Sequence, residues 1–536
     1  MNNSKPFSIK ISGPAGAGIA KLGEILSSAF NREGFFTLVY SEYPSRIRGG
    51  DNNIQIVISR NGDISPKEKV DLLFAFDDVL LEKHKNEVIS GGKALSATRL
   101  KLNELGPVKE NPIVLNSAVA GFLWSLFLKD LKSLNLQIKE SVKEAFLKAN
   151  LEAVHSGFEL NQQKDDFDST RATKKIVSLN GNELFAKAAE QADCQYASIY
   201  PMTPITGFLN SLSKTKIKTV MPEDEIFAAL STLGASYAGK RAITATSGGG
   251  FCLMSEAVGF AGMAEIPLVI LLGQRTGPSS GIPTFTSQAD LLFAINSSHG
   301  DFSKIVLAPG DLEEVYFLTQ EAFNLADIYQ VPVIILTDKY LSESRFSTTE
   351  ESLKKIKVRI NRGKRFKKQK SPYKRYQTTP SGVSARAFPG ETAFITNSYE
   401  HDEYGFSTDE VSDRLAMVSK RERKLKNLQG GFSVFGDKDS KKLILGWGST
   451  KTQILEYIRE NPRVKFIHVN RPWPFPQGVI SHLEKAKKII IVENNFSGQM
   501  AQILKGQTTV KVESILKDDG RPFFQEELDR EINKKI

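Results

Sequence analysis

Apolar and polar positions along this chain follow two periods, one strand-like and one helical, and the switch between them recurs. Pro6-Phe7-Ser8-Ile9-Lys10-Ile11 reads as a strand, Ser12-Gly13-Pro14-Ala15-Gly16-Ala17-Gly18 as a glycine turn, and the amphipathic run 19–30 as a helix. That is how an α/β unit opens. Strand-like runs follow at 36–40, 53–58, 72–76 and 112–115, so the first segment predicts a mainly parallel sheet covered on both faces. Its pattern fades in the polar stretch Asn161-Gln162-Gln163-Lys164-Asp165-Asp166, which reads as a linker. A second α/β segment begins with a helix near Gly181-Asn182-Glu183, with buried strands expected at 196–200, 241–246, 268–272, 304–308 and 331–336. From roughly 344 to 435 the rhythm gives way to a polar, basic region too long for a simple loop. Strands at 442–445, 464–469 and 488–492 mark a third α/β unit. The predicted class is therefore α/β, with three α/β domains over 1–170, 178–345 and 436–536 and an insertion or arm over 346–435. No short repeat is visible, which argues against a solenoid.

Length agrees with several cores: 536 residues exceed one domain of about 100 to 200 residues several times over. No apolar run approaches the roughly 20 residues of a spanning helix, and residues 1–5 carry no apolar signal segment. A cytoplasmic protein is expected. Only Cys194 and Cys252 occur, too few for a disulfide framework or for the usual cubane cluster, which takes about four thiolates. Any redox cluster is expected on a partner. The net charge of +10 is concentrated: thirteen Lys and Arg and no acid fall between Ser352 and Gly390. A basic segment on an otherwise balanced body is the reading this supports.

Candidate chemistry sits where predicted strands end. Gly13, Gly16 and Gly18 could bring backbone amides to an anion or simply make a tight turn, and their spacing is not that of a dinucleotide fingerprint. Arg46 and Arg48 beside Gly49-Gly50 could cradle a coenzyme phosphate or a partner's carboxylates, and a solvated turn would look the same. Tyr200-Pro201-Met202-Thr203-Pro204 is a stiff loop that mounts one hydroxyl between two prolines. Glu223-Asp224-Glu225 opens a helix whose dipole favours acids, yet the small, apolar residues that follow suggest burial of Glu225, and a buried carboxylate needs a partner. Gly248-Gly249-Gly250 permits close approach of a ligand to the backbone, and Arg275 in Gln274-Arg275-Thr276-Gly277-Pro278 is placed to hold a carboxylate. His299 is a further candidate, although a lone histidine is more often structural. Glu400-His401-Asp402 suggests no metal, because one imidazole between two acids on a polar segment is usually solvated.

In this order, Tyr200-Pro201-Met202-Thr203-Pro204, Glu223-Asp224-Glu225, Thr246-Ser247-Gly248-Gly249-Gly250, Met263-Ala264-Glu265-Ile266-Pro267 and Gln274-Arg275-Thr276-Gly277-Pro278-Ser279 resemble the alpha subunit of 2-oxoacid:ferredoxin oxidoreductases, most closely the 2-oxoglutarate type. The first segment resembles the family's gamma unit fused ahead of it, through Ser41-Glu42 and Arg46-Ile47-Arg48-Gly49-Gly50. Residues 346–435 resemble the family's insertion. The last segment, with Val492-Glu493-Asn494-Asn495 and Gly520-Arg521-Pro522-Phe523, resembles its transketolase-C-terminal-like domain. The resemblance implies a pyrimidine-type thiamine diphosphate domain over 178–345 and a composite site. There a separate beta subunit carries the diphosphate, magnesium and a 4Fe-4S cluster, and no metal lies on this chain. It implies coenzyme A-dependent oxidative decarboxylation of a 2-oxoacid with reduction of ferredoxin, in a heterodimer or a dimer of heterodimers. Glu225 would bond N1′ of the aminopyrimidine, Thr203 and Arg275 would bind the 2-oxoacid, and Tyr200, Pro201, Gly248, Gly249, Arg46 and Arg48 would line cofactor sites.

Departures from the family pattern are Met202 for isoleucine, Gly249 for proline, Ser280 for threonine, and the irregular turn at 13–18, which bears on coenzyme binding by the first domain. Two rival readings remain. One is a nucleic-acid-binding protein using the basic arm, weakened by sparse aromatics there; the other is an NAD-dependent enzyme, weakened by the glycine spacing.

Overall fold

Three sheets organise the chain in this computed structural model, which describes residues 5–43, 50–62, 64–161, 174–368 and 372–536. They belong to two compact units. The first comprises Met1–Asn180, Glu343–Lys355 and Phe523–Arg530; the second comprises Gly181–Ser342, Ile356–Pro522 and Glu531–Ile536.

The first unit's sheet runs Val88–Ser96, Val70–Ala75, Phe7–Pro14, Asp51–Ser59, Phe36–Glu42, Arg345–Thr349, Ile176–Asn180. Only its first three strands are mutually parallel; the other four pairings are antiparallel. This corrects the expectation of a mainly parallel sheet here. Phe36–Glu42 and Asp51–Ser59 are joined by a connection shorter than the dozen or so residues a parallel crossover needs, so they pair as neighbours in opposite directions. The run 112–115 is not a strand either. Pro112–Val114 forms a 3-10 turn, capped by the Asn111 side chain on the Ile113 amide, and leads into the helix Leu115–Ser125. A short apolar run cannot by itself separate buried strand from buried helix. That helix packs Trp124 against Phe30 from Ile19–Arg32, at the centre of the unit's core.

In the second unit the five expected strands, joined by the short edge strand Lys218–Val220 that was not expected, form one parallel sheet, ordered Ile305–Leu307, Pro332–Asp338, Leu268–Gln274, Arg241–Ser247, Cys194–Ser198, Lys218–Val220. Every residue of its three central strands is buried, which is why they read as near-continuous apolar runs without alternation. A third sheet, Phe432–Gly436, Lys465–Val469, Lys442–Trp447, Lys488–Glu493, Glu513–Leu516, is parallel except for its first strand. The second and third sheets share a core in which Ile270 and Leu272 lie with Trp447, Ile467 and Ile491. Gln288 ties them with polar bonds, donating to the Trp447 carbonyl at 2.9 Å and accepting from the Asn494 amide at 2.9 Å.

The basic stretch after 346 is firmly held where it is described. Its helix Val411–Arg423 and the residue just beyond place Lys420 and Lys424 on the fully buried Glu265, at 2.5 and 2.8 Å. No helix among the described residues is long and apolar enough to cross a membrane.

Candidate active site

Three loops meet at the carboxyl ends of adjacent strands of the second sheet, the edge where open α/β sheets collect ligands. Cys194–Ser198 leads into Tyr200-Pro201-Met202-Thr203-Pro204, Arg241–Ser247 into the glycine helix Gly248–Leu253, and Leu268–Gln274 into Arg275. The first loop is pinned from both sides. Asn182 donates to the Pro204 carbonyl at 3.0 Å, and the Thr246 and Ser247 hydroxyls point to the Met202 sulfur at 3.5 Å.

Glu225 enters from the helix Glu225–Tyr237. Asp224 caps that helix by accepting from the Phe227 amide at 2.8 Å, so the cap is Asp224 and Glu225 is released to face inward. Glu225 is 5% exposed and, among the described residues, has no hydrogen-bond or ion-pair partner. The chain itself thus leaves a carboxyl group at this edge that a bound group can satisfy. The glycines explain how space is kept for that. A Cβ built on Gly250 would lie 2.5 Å from Glu225 Oε1, whereas one on Gly249 meets nothing nearer than the Ser279 carbonyl at 4.0 Å. Residue 250 must be bare for Glu225 to sit where it does, and residue 249 borders open space.

Arg275 donates from Nη1 to the Thr203 carbonyl at 2.9 Å. Burial depresses its pKa, and the charge of Asp290 opposes that shift. Among the described residues its other guanidinium donors make no hydrogen bond, and a guanidinium can take a carboxylate at two points. Thr203 and Arg275, predicted separately, are thus joined by a hydrogen bond. Asp290 was not predicted. It lies just before the helix Leu291–Asn296, its amide held by Gln274 Oε1 at 3.0 Å, and its Oδ2 lies 2.7 Å from where a Cβ on Gly248 would be. Burial pushes its carboxyl up to about 6, against the pull of Arg275. The only sequence signal was one acid inside the apolar run Ala289-Asp290-Leu291-Leu292.

Tyr200 and Pro201 stand on the outer lip, Tyr200 being 38% exposed. Apolar side chains from the same loops and helices are exposed: Met221, Leu253 and Ile282, and Ile226, Phe227 and Leu230 on the helix that carries Glu225. Several large apolar side chains left in solvent on the elements that build a cleft are what a contact surface requires. Other candidates fall elsewhere. His299 lines a separate cavity of about 420 Å³ with Glu256, Asp301 and Arg414, which contains none of the site residues. His401 is buried against Tyr376, while Glu400 pairs with Arg414 and Arg421 and Asp402 accepts loop amides. That triplet is structural. Among the described residues no group of three or more His, Cys, Asp or Glu could hold a metal. Gly18 of the first glycine cluster takes φ 74° ahead of the helix Ile19–Arg32, and Gly13 packs under Ile19 and Phe76, a turn's requirements. Arg46 and Arg48 lie outside the described residues.

The family described as pyruvate flavodoxin/ferredoxin oxidoreductase, thiamine diphosphate-binding, matches residues 187–420, which carry Glu225, Thr203, Arg275 and the glycine helix. The pyruvate ferredoxin/flavodoxin oxidoreductase family matches residues 8–160. The chain is 31% identical to 2-oxoacid:ferredoxin oxidoreductase 2, subunit alpha, of Aeropyrum pernix, over 97% of this chain and 96% of that one. It is 33% identical to 2-oxoglutarate synthase subunit KorA of Methanothermobacter marburgensis, over 60% of this chain and 88% of that one. A solved structure, 2-oxoglutarate:ferredoxin oxidoreductase from Magnetococcus marinus with 2-oxoglutarate, coenzyme A and succinyl-CoA bound, is 28% identical and matches with a TM-score of 0.90, covering 99% of this chain and 100% of that one.

Proposed function

Because this chain belongs to the 2-oxoacid:ferredoxin oxidoreductase alpha subunits, and so is one subunit of an oxidoreductase, we propose that it supplies the pyrimidine-facing half of a thiamine diphosphate site completed by a beta subunit. The assembled enzyme carries out coenzyme A-dependent oxidative decarboxylation of a 2-oxoacid, 2-oxoglutarate in the first instance, with ferredoxin as electron acceptor. Magnesium, the diphosphate anchor and the 4Fe-4S cluster belong to the partner in this reading, since this chain's two cysteines fall short of the roughly four thiolates a cluster takes.

The observation that carries the reading is Glu225: a buried carboxylate with no partner, opposite a glycine that must lack a side chain, on a helix with exposed apolar side chains. The residues present fit the aminopyrimidine. When bound, thiamine diphosphate supplies the carbanion-stabilising chemistry; the protein's part is orientation and proton handling. Glu225 would hydrogen-bond N1′, pass it a proton and take that proton back as the ring returns to its amino form. Gly248 and Gly249 let the ring approach the backbone, and the lip of Tyr200 and Pro201 covers it. Arg275, steadied by the Thr203 carbonyl, takes the 2-oxoacid carboxylate, and the Thr203 hydroxyl donates to the keto oxygen. This fixes the keto carbon in one orientation, which converts binding into rate. The exposed apolar side chains of Ile226, Phe227 and Leu230 receive the partner, which excludes water from the composite pocket.

Co-expression with the neighbouring beta reading frame tests this. A brown complex is expected, reducing ferredoxin only with thiamine diphosphate, coenzyme A and 2-oxoacid together. Full thiamine-dependent turnover by the colourless chain alone would overturn it.

A further inference from the structure

At the opposite edge of the second sheet, a second cavity of about 650 Å³ opens beside the amino ends of the strands. Its walls come from the end of the helix Leu312–Tyr329, the segments around Asn361 and Ser381, and the turn after the helix Val411–Arg423. Asn361 links it to the strand edge, because its carbonyl accepts from Arg241, the first residue of Arg241–Ser247, at 3.0 Å. The strand's last residue, Ser247, adjoins the glycine helix of the active site. Seven strand residues at roughly 3.3 Å each put the two openings about 20 Å apart along the sheet.

The lining is one-signed. Lys364, Arg423, Lys424 and Lys426 contribute four cations, and no Asp or Glu lines the cavity. Lys424 is committed to Glu265 at 2.8 Å and to the Gln330 carbonyl at 2.9 Å. The other three form no ion pair among the described residues. Lys364 reaches only the Ser381 hydroxyl at 3.2 Å, Lys426 is exposed, and Arg423 uses its two Nη atoms on Ser419 and the Thr379 carbonyl while its buried Nε has no acceptor. The layer beneath adds to the imbalance. Asp327 alone faces Arg241, Arg362 and Arg386, at 2.9, 3.0 and 2.7 Å. Like charges gathered in a concave wall focus a positive potential, and Lys364 and Lys426 present ammonium groups with no acid beside them for an anion to meet. The remaining wall is apolar, with Ile328, Tyr329, Pro380 and Val383. The volume lies within the 300–1,000 Å³ or so of small-molecule sites.

We propose that this cavity binds a small multivalent oxyanion of nucleotide size, its charged end on Lys364, Arg423 and Lys426 and its flatter body against Tyr329 and Val383. Being at the far edge of the sheet, it is an effector site and not a station of the reaction.

The test is calorimetric titration of the full chain with ADP, pyrophosphate and citrate, before and after the double charge reversal Lys364→Glu with Lys426→Glu. Both residues are exposed, so an unchanged melting temperature confirms the fold of the variant. One saturable site per chain is expected, weakened at least about tenfold by the reversal. Tighter binding of ADP than of pyrophosphate identifies a nucleotide that uses the apolar wall. Equal binding of the two phosphates identifies the phosphate end alone, and preference for citrate identifies a polycarboxylate. Binding that survives the reversal, or no saturable binding of any of the three at about 10 mM, refutes the proposal. The readout needs no turnover, so it stands apart from the fate of the composite thiamine site.

Discussion

A Cβ on Gly250 would fall 2.5 Å from Glu225 Oε1 and 2.1 Å from Thr246 Oγ1. Both distances are well inside contact, so the bare backbone at 250 and the position of Glu225 are one structural fact. Gly250→Ala is expected to displace the carboxylate and lower turnover by about 10²-fold, the scale of an ångström's misplacement. Gly249→Ala meets only an atom 4.0 Å away, so its melting temperature should hold while thiamine diphosphate affinity falls. If both variants lose stability and activity together, the two glycines are structural only.

Glu225→Gln keeps the shape of the side chain and removes the charge. Because the carboxylate has no hydrogen-bond or ion-pair partner among the described residues, the substitution should leave the melting point of the isolated chain unchanged. In the assembled enzyme, turnover should fall by about 10² to 10⁴, the range for losing a proton-transfer group. A variant that loses stability and keeps its rate would assign Glu225 to the fold and remove it from the chemistry.

Asp290 and Arg275 set a pH dependence whose sign can be worked out. Folding raises the Asp290 carboxyl from 3.8 to about 6, so between these values the folded chain binds the extra proton. This group's contribution to stability is present below 3.8 and is lost as pH rises through about 6. Asp290→Asn should therefore raise the melting temperature at pH 7. In the active enzyme the ionised Asp290 repels an incoming carboxylate near Arg275, so KM for the 2-oxoacid should fall as pH drops from 7 to 5. Steady-state kinetics should show that slope flattened in Asp290→Asn, and KM raised strongly in Arg275→Ala at every pH. A slope identical in wild type and Asp290→Asn would exonerate the residue.

Much of this was legible because the candidate site sits on loops that leave buried or mostly buried strands. Apolar runs at 241–246 and 268–272 announced the strands, and glycines, prolines and polar side chains directly after them announced the loops. Glu225 was legible for a related reason: with Asp224 suited to cap the helix, an acid followed by apolar residues can be carried inward, although Ile226, Phe227 and Leu230 of the same helix face out. What local pattern could not give was pairing direction. Half of the first sheet's antiparallel pairings arise because it recruits Arg345–Thr349 from more than 160 residues beyond Ile176–Asn180, a partnership no local window contains. Asp290 was hidden in the same way, since its importance comes from Gly248 and Arg275 folding onto it. Composition also hid which cations are structural: most of the charge run between Ser352 and Gly390 is exposed, but Arg386 within it is buried on Asp327, and Lys420 and Lys424 farther along are buried on Glu265.

That burial makes the anchor of Glu265 the most consequential structural contact outside the active site. Lys420 and Lys424 hold the Glu265 carboxyl well below its ordinary range against the cost of burial, while burial pushes Lys424 down to about 7. Glu265→Gln leaves the buried Lys420 without its counter-charge and drives Lys424 neutral, which should cost about 3–5 kcal/mol at neutral pH. Lys424→Met leaves Lys420 on Glu265 and removes a cation that the fold already disfavours, so it should cost far less. The pH slopes separate the two groups. The Glu265 contribution is present above the unfolded carboxyl value of 4.5 and fades as pH falls below it. For Lys424 the unfolded chain binds the extra proton between about 7 and 10.5, so stability gains from it as pH rises through that window, and Lys424→Met should abolish the gain. Urea unfolding of the three proteins between pH 4 and 10 reads out all of this. Equal losses in the two variants would mean that the anchor works through packing and not through charge.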